Sequence, residues 1–90
     1  MTELWQDYLN QRVVVDTDSH LSFIGTLVAL DDKHVKLAEV AVYDENVVRV
    51  TLEQYLIEAL KHGVPSSRRE LLVRQHRIVA FGRLADIVKV

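Results

Sequence analysis

The chain of 90 residues has no cysteine, one proline, three glycines and only 7% aromatic residues. Without cysteine it has no disulfide framework, no thiol nucleophile and none of the common zinc-finger patterns. No apolar run approaches the roughly 18–20 residues that span a membrane as a helix. The start, Met1-Thr2-Glu3-Leu4-Trp5-Gln6-Asp7, lacks the positive stretch of a secretory leader, so the expected location is the cytoplasm. Also missing are a Gly-x-Ser-x-Gly elbow, a phosphate-binding glycine loop and a His-Glu-x-x-His helix, so no enzymatic activity is expected. There is no internal repeat and no low-complexity tract. What remains is 49% hydrophobic and 27% charged, too apolar for a disordered chain. The length fits one small domain over residues 1–90, with modest stability that assembly of copies would raise.

The net charge of −2 hides an asymmetry. Residues 1–60 set Arg12, Lys33, Lys36 and Arg49 against eleven acids. Residues 61–90 set Lys61, Arg68, Arg69, Arg74, Arg77, Arg83 and Lys89 against Glu70 and Asp86. Such a split marks an anion-binding surface, two surfaces that meet head to tail, or simply solvated charge.

Local pattern gives the element order. Leu4, Trp5, Tyr8 and Leu9 share one face of a helix over residues 3–10, with Thr2 as its cap. Arg12–Asp16 reads as a strand, and Asp16–His20 as a turn built on short polar side chains. Leu21–Leu30 is a second strand, with Gly25 where the backbone bends or is approached closely. After Asp31-Asp32-Lys33, a third strand runs His34–Tyr43. Val35 and Leu37 fall on one side, Val40 and Val42 on the other, and the phase slip at Glu39 suggests a bulge. Asp44–Asn46 turns the chain and Val47–Val50 reads as extended.

A helix is then well specified over residues 51–62. Thr51 and Gln54 form a capping box, and Leu52, Tyr55, Leu56, Ala59 and Leu60 make an apolar stripe. Lys61 and His62 suit the C-terminal end, Gly63 permits positive φ, and Pro65 blocks continuation. Glu70–Val73 and Ile78–Phe81 are the last strands, joined by Arg74–Arg77, and Leu84–Val90 reads as extended. The order predicts a mostly β fold: a small, strongly bent five-stranded antiparallel barrel with an N-terminal helix and a helix between strands three and four.

Two segments resemble the Sm/LSm family. Gly25-Thr26-Leu27-Val28-Ala29-Leu30, then Asp32-Lys33-His34-Val35-Lys36-Leu37, is similar to its first motif, roughly Gly-x-Leu-x-x-apolar-Asp-x-His/aromatic-Met-Asn-Leu. Leu71–Phe81 is similar to the second, an apolar strand, an Arg-Gly turn and an apolar strand. The resemblance covers about residues 3–38 and 70–84, and residues 39–69, with the inserted helix 51–62, fill the place of a variable loop.

The resemblance implies a closed ring of five to eight copies, the fourth strand of one pairing with the fifth strand of the next. It also implies single-stranded RNA at the pore face. His34 would stack on a base, Lys36 would stand at the Asn position, Arg74 would cover the base, Gln75 would replace the usual Gly, and Asp32 would orient the loop. Lys36 offers donors and charge where Asn offers a donor and an acceptor. Gln75 places a side chain where the family keeps the backbone bare. No cofactor is implied.

Asp16, Asp18 and His20 alternate and can present metal ligands, although Asp-rich turns arise for backbone reasons alone. The other functional reading is a homo-oligomeric structural or protein-interaction module without nucleic acid, with residues 51–62 as its new surface. The overall acidity favours it, since nucleic-acid binders are usually basic.

Overall fold

A computed structural model describes residues 2–88. The Thr2 cap, and Lys89 and Val90 of the last apolar stretch, lie outside the described side chains. The elements are α1 (Thr2–Gln6), β1 (Arg12–Thr17), β2 (Leu21–Leu30), β3 (His34–Asp44), α2 (Leu52–His62), β4 (Arg68–Arg74) and β5 (Ile78–Arg83). Short 3-10 turns cover Gln75–Arg77 and Leu84–Asp86. The strands form one antiparallel sheet in the order β4-β3-β2-β1-β5. The expected class is therefore observed, as a barrel left open. No ladder joins β4 to β5 among the described residues, yet Val73 of β4 and Ile78 and Phe81 of β5 pack on one core, so the sheet curls until its edges converge.

The curl starts where β2 passes β3. A Cβ on Gly25 would lie 3.0 Å from the Ala38 carbonyl oxygen and 3.2 Å from Val40 Cγ2. Opposite it the register slips between Ile24 and Thr26, and Glu39 takes φ 52°. That bulge corrects the simple alternation. Val40 joins Val35 and Leu37 on the inner face, because one extra residue flips the parity of the strand.

The sheet buries both faces. Inside lie Val13, Val15, Leu27, Val35, Leu37, Val40 and Val73, covered by Trp5 with Tyr8 and Leu9. Trp5 and Tyr8 both meet Phe81, with ring centroids 4.1 and 4.8 Å away. Outside, Val14, Ile24, Ala41 and Leu84 pack under Leu56 and Ala59 of α2. The helical stripe read from the sequence is thus satisfied by its own sheet.

α2 carries the complete capping box, the Thr51 hydroxyl accepting from Gln54 N–H and the Gln54 side-chain Oε1 from Thr51 N–H. It stops at Gly63, whose φ of 94° and ψ of 161° lie in a region that glycine alone adopts readily.

Several boundaries differ from expectation. α1 ends at Gln6 rather than residue 10, because Asn10 N–H donates to the Leu27 carbonyl and Leu27 N–H to that of Gln11. Pairing with β2 takes the chain out of the helix, and Leu4 is left 65% exposed. Val47–Val50 forms turns and bends, not a strand, held by the Tyr43 hydroxyl donating to the Val50 carbonyl at 2.7 Å. β4 begins at Arg68, since its pairing reaches Val40, and β5 runs on to Arg83. Leu84–Asp86 turns instead of extending, which drives Leu84 beneath α2.

Gly25→Val is expected to lower stability by about 2 kcal/mol, as overpacking of a tight site does. Urea unfolding of the variant beside wild type measures it.

Candidate nucleic-acid interface

Two turns meet at one end of the sheet. In the β2–β3 turn, Asp31 Oδ1 accepts from the backbone N–H of Lys33 at 2.8 Å and of His34 at 2.6 Å. The His34 Nδ1 lies 3.4 Å from the same oxygen. These donors, with the charge of His34 adding to them, hold the Asp31 carboxyl below the usual carboxylate range. The loop-orienting role expected of Asp32 therefore falls to its neighbour, whose side chain is placed to accept from residues two and three positions ahead.

The β4–β5 turn is bound to the first. Gln75 N–H donates to the Lys33 carbonyl at 2.7 Å. Its side-chain Nε2 donates to the carbonyls of Asp31 and, at 3.2 Å, of His34. Arg77 ties the same turn to β1–β2, its Nε lying 2.8 and 2.9 Å from the two Asp18 oxygens.

The β3–β4 register sets His34 directly opposite Arg74. Directly paired residues project from the same side of a sheet, so the imidazole and guanidinium stems are neighbours. Beside them opens a pocket of about 580 Å³, within the usual range for small-ligand sites. Asp32, Lys33, His34, Arg74, Gln75 and His76 line it, with Trp5 and Ile78 as its apolar members. Among the described residues Lys33, Arg74 and His76 enter no ion pair. The pocket thus combines two cations without an ion-pair partner, Lys33 and Arg74, with ring faces and a braced backbone.

Four of the five residues singled out in the sequence line this pocket: Asp32, His34, Arg74 and Gln75. Lys36 does not. It sits opposite Leu72, one same-face step along β3, and its Nζ leans to Glu70 Oε2 at 3.3 Å. Lys33, His76 and Trp5 were missed as site members. Lys33 lies between two chosen residues and His76 follows one, a signal that adjacency in a turn supplies; nothing local marks Trp5.

The metal reading of Asp16, Asp18 and His20 finds no support, because each has its own partner. Asp16 accepts from the Ser22 hydroxyl, Asp18 pairs with Arg77, and His20 Nε2 lies 3.7 Å from Asp44. No group of three possible ligands exists among the described residues.

Since the folded Asp31 holds its proton less tightly than a free carboxylate, its contribution is complete above the ordinary value of 3.8 and is lost as pH falls below it. Asp31→Ala is expected to speed hydrogen exchange of the Lys33 and His34 amides on the order of tenfold at neutral pH. In wild type the His34 amide shift should report loosening only in acid.

No protein family and no curated protein matches this sequence. Among solved structures, an Sm protein of Pyrococcus abyssii in complex with a uridine heptamer aligns with a TM-score of 0.62. The alignment covers 91% of this chain and 94% of that one, at 16% sequence identity. No helix of the described residues is long and apolar enough to cross a membrane. At that identity the likeness is one of architecture, and the fold of this chain is the Sm fold.

Proposed function

We propose that copies of this chain close into a ring through β4 of one and β5 of the next, and that the ring binds single-stranded RNA where the β2–β3 and β4–β5 turns meet. The observation that carries the reading is the pairing of His34 with Arg74 at the mouth of a pocket whose other cations are unpaired. A base stacked on His34 and covered by Arg74 would be held by ring faces, with Lys33 and His76 left for phosphate. The Sm protein with its uridine heptamer is consistent with that chemistry. Asp32 sits at the rim, where it tempers the positive field. Lys36 contributes at a distance, since an exposed pair such as that with Glu70 is worth under about 1 kcal/mol and yields readily to a phosphate.

The ring is supported by the edges. β4 and β5 end the sheet, and they expose Leu72 at 63% and Val79 at 66%. Unpaired apolar edges template further pairing, and a head-to-tail contact that closes removes both at once. Residues 1–90 act as one unit in this reading, with α2 as an insertion between the two motif-like segments.

Native mass spectrometry is expected to show one species of five to eight copies, reduced to monomer by Val79→Asp. In binding by fluorescence anisotropy, Arg74→Ala should weaken a short oligoribonucleotide about tenfold and flatten the salt dependence. Glu70→Gln, which frees Lys36, should strengthen it about threefold. A ring that binds no oligonucleotide would return the assignment to a protein-interaction module.

A further inference from the structure

We infer that the cleft between α2 and the turn after β5 is a binding site for a carboxylate carried on a short branched apolar group. The cleft encloses about 160 Å³ and shares no residue with the pocket between the two turns. Gln11, Arg12 and Arg83 form its polar wall, and Ala59 and Leu60 of α2, with Leu84, form its apolar one. α2 thus supplies one side of a site that the sheet alone would lack.

The polar wall is built in advance. Gln11 Nε2 donates to the Asp7 carbonyl at 2.9 Å, which settles the orientation of its amide and leaves Oε1 for Arg83. Arg83 Nη1 lies 3.4 Å from that oxygen, its Nε donates to Asp86 at 3.0 Å, and its guanidinium sits over the Tyr8 ring, 5.4 Å from the centroid. Three contacts therefore hold one guanidinium, and its Nη2 donors are spent on neither hydrogen bond. Arg12 stands beside it. Strand residues two apart share a face, so Arg12 leaves β1 on the side of Val14, which packs with Leu56 and Ala59. Among the described residues Arg12 enters no ion pair. Two guanidiniums are answered by one carboxylate, that of Asp86, while Glu58 on α2 pairs with His62. The cleft keeps a positive charge.

Size and polarity choose the ligand. A cavity of about 150 Å³ takes a molecule the size of benzene, whereas drug-sized ligands need about 300 Å³ or more. A guanidinium pairs well with a carboxylate, and the wall of Ala59 and Leu60 favours carbon. A sugar–phosphate chain would answer the arginines and leave that wall against polar atoms. A small acid such as isovalerate, or the last residue of a peptide ending in leucine, answers both walls.

The test is an NMR titration that follows the Arg12 and Arg83 side-chain N–H signals and the Leu60 and Ala85 amides. Isovalerate is expected to bind there about tenfold more tightly than acetate, which lacks the branch, and than isovaleramide, which lacks the charge. Arg12→Gln should weaken isovalerate about tenfold. Lys61→Gln, which removes the same charge from an exposed position of α2 outside the cleft, should leave it unchanged. An acetylated dipeptide ending in leucine that binds more tightly than isovalerate assigns the site to a peptide terminus, and one that binds less tightly assigns it to a free acid; both support the site. Acetate or inorganic phosphate that binds as tightly as isovalerate reduces the arginines to a general anion patch and overturns the inference. Equal effects of Arg12→Gln and Lys61→Gln, or no shift at these signals, overturn it as well.

Discussion

The passage of β2 beneath the Ala38 carbonyl at Gly25 is the constraint on which the other contacts depend. A strand that crosses its neighbour at 3.0 Å from a would-be Cβ leaves little room for a side chain there. The strand bends, β3 answers with the left-handed Glu39, and the inner face gains Val40. One curved sheet can then enclose a core on its concave side while its convex side takes α2. Two small cores share the same strands, which suits a chain too short to build one large one.

The same curvature explains where the candidate site lies. It brings the ends of β3 and β4 to one rim, and the two turns there are held by polar bonds rather than by packing. Asp31 organises the first turn from within, and Gln75 fastens the second to it. The cations of the rim are left without partners, as a binding surface requires and a purely structural one does not. Arg77 shows the contrast: its neighbour in sequence, His76, faces the pocket, while its own guanidinium is consumed by Asp18.

Much of the architecture was legible because it is written locally. The Thr51–Gln54 box, the Gly63 stop, the strand of alternating residues from Leu21 to Leu30 and the slip at Glu39 each need only a few neighbouring residues to be read. What was not legible depends on residues far apart in the chain. Lys36 was placed in the site by its position in the motif, and nothing near it in sequence announces Glu70. Asp31 and Asp32 are the same residue type, and only the path of the turn decides which carboxylate finds the N–H groups of Lys33 and His34. Val47–Val50 has the composition of a strand but forms turns and bends tied to the Tyr43 hydroxyl, so propensity is overruled by a tertiary contact. The brace made by Gln75 spans more than forty residues and has no local signature.

The pairing of β1 with β5 has a consequence for the order in which the molecule can form. Residues 12–44 are a meander of adjacent strands, and α2 follows with its own local cap. On a chain emerging from its amino end, these parts can assemble early. Yet one whole side of β1 waits for residues 78–83, the last strand to appear. Until then the apolar Val13–Val15 segment is an open edge with nothing to sit on it. Such distant closure slows folding and prolongs the exposure of sticky strands. The completed β1–β5 ladder therefore marks the step at which a vulnerable nascent sheet becomes a finished subunit.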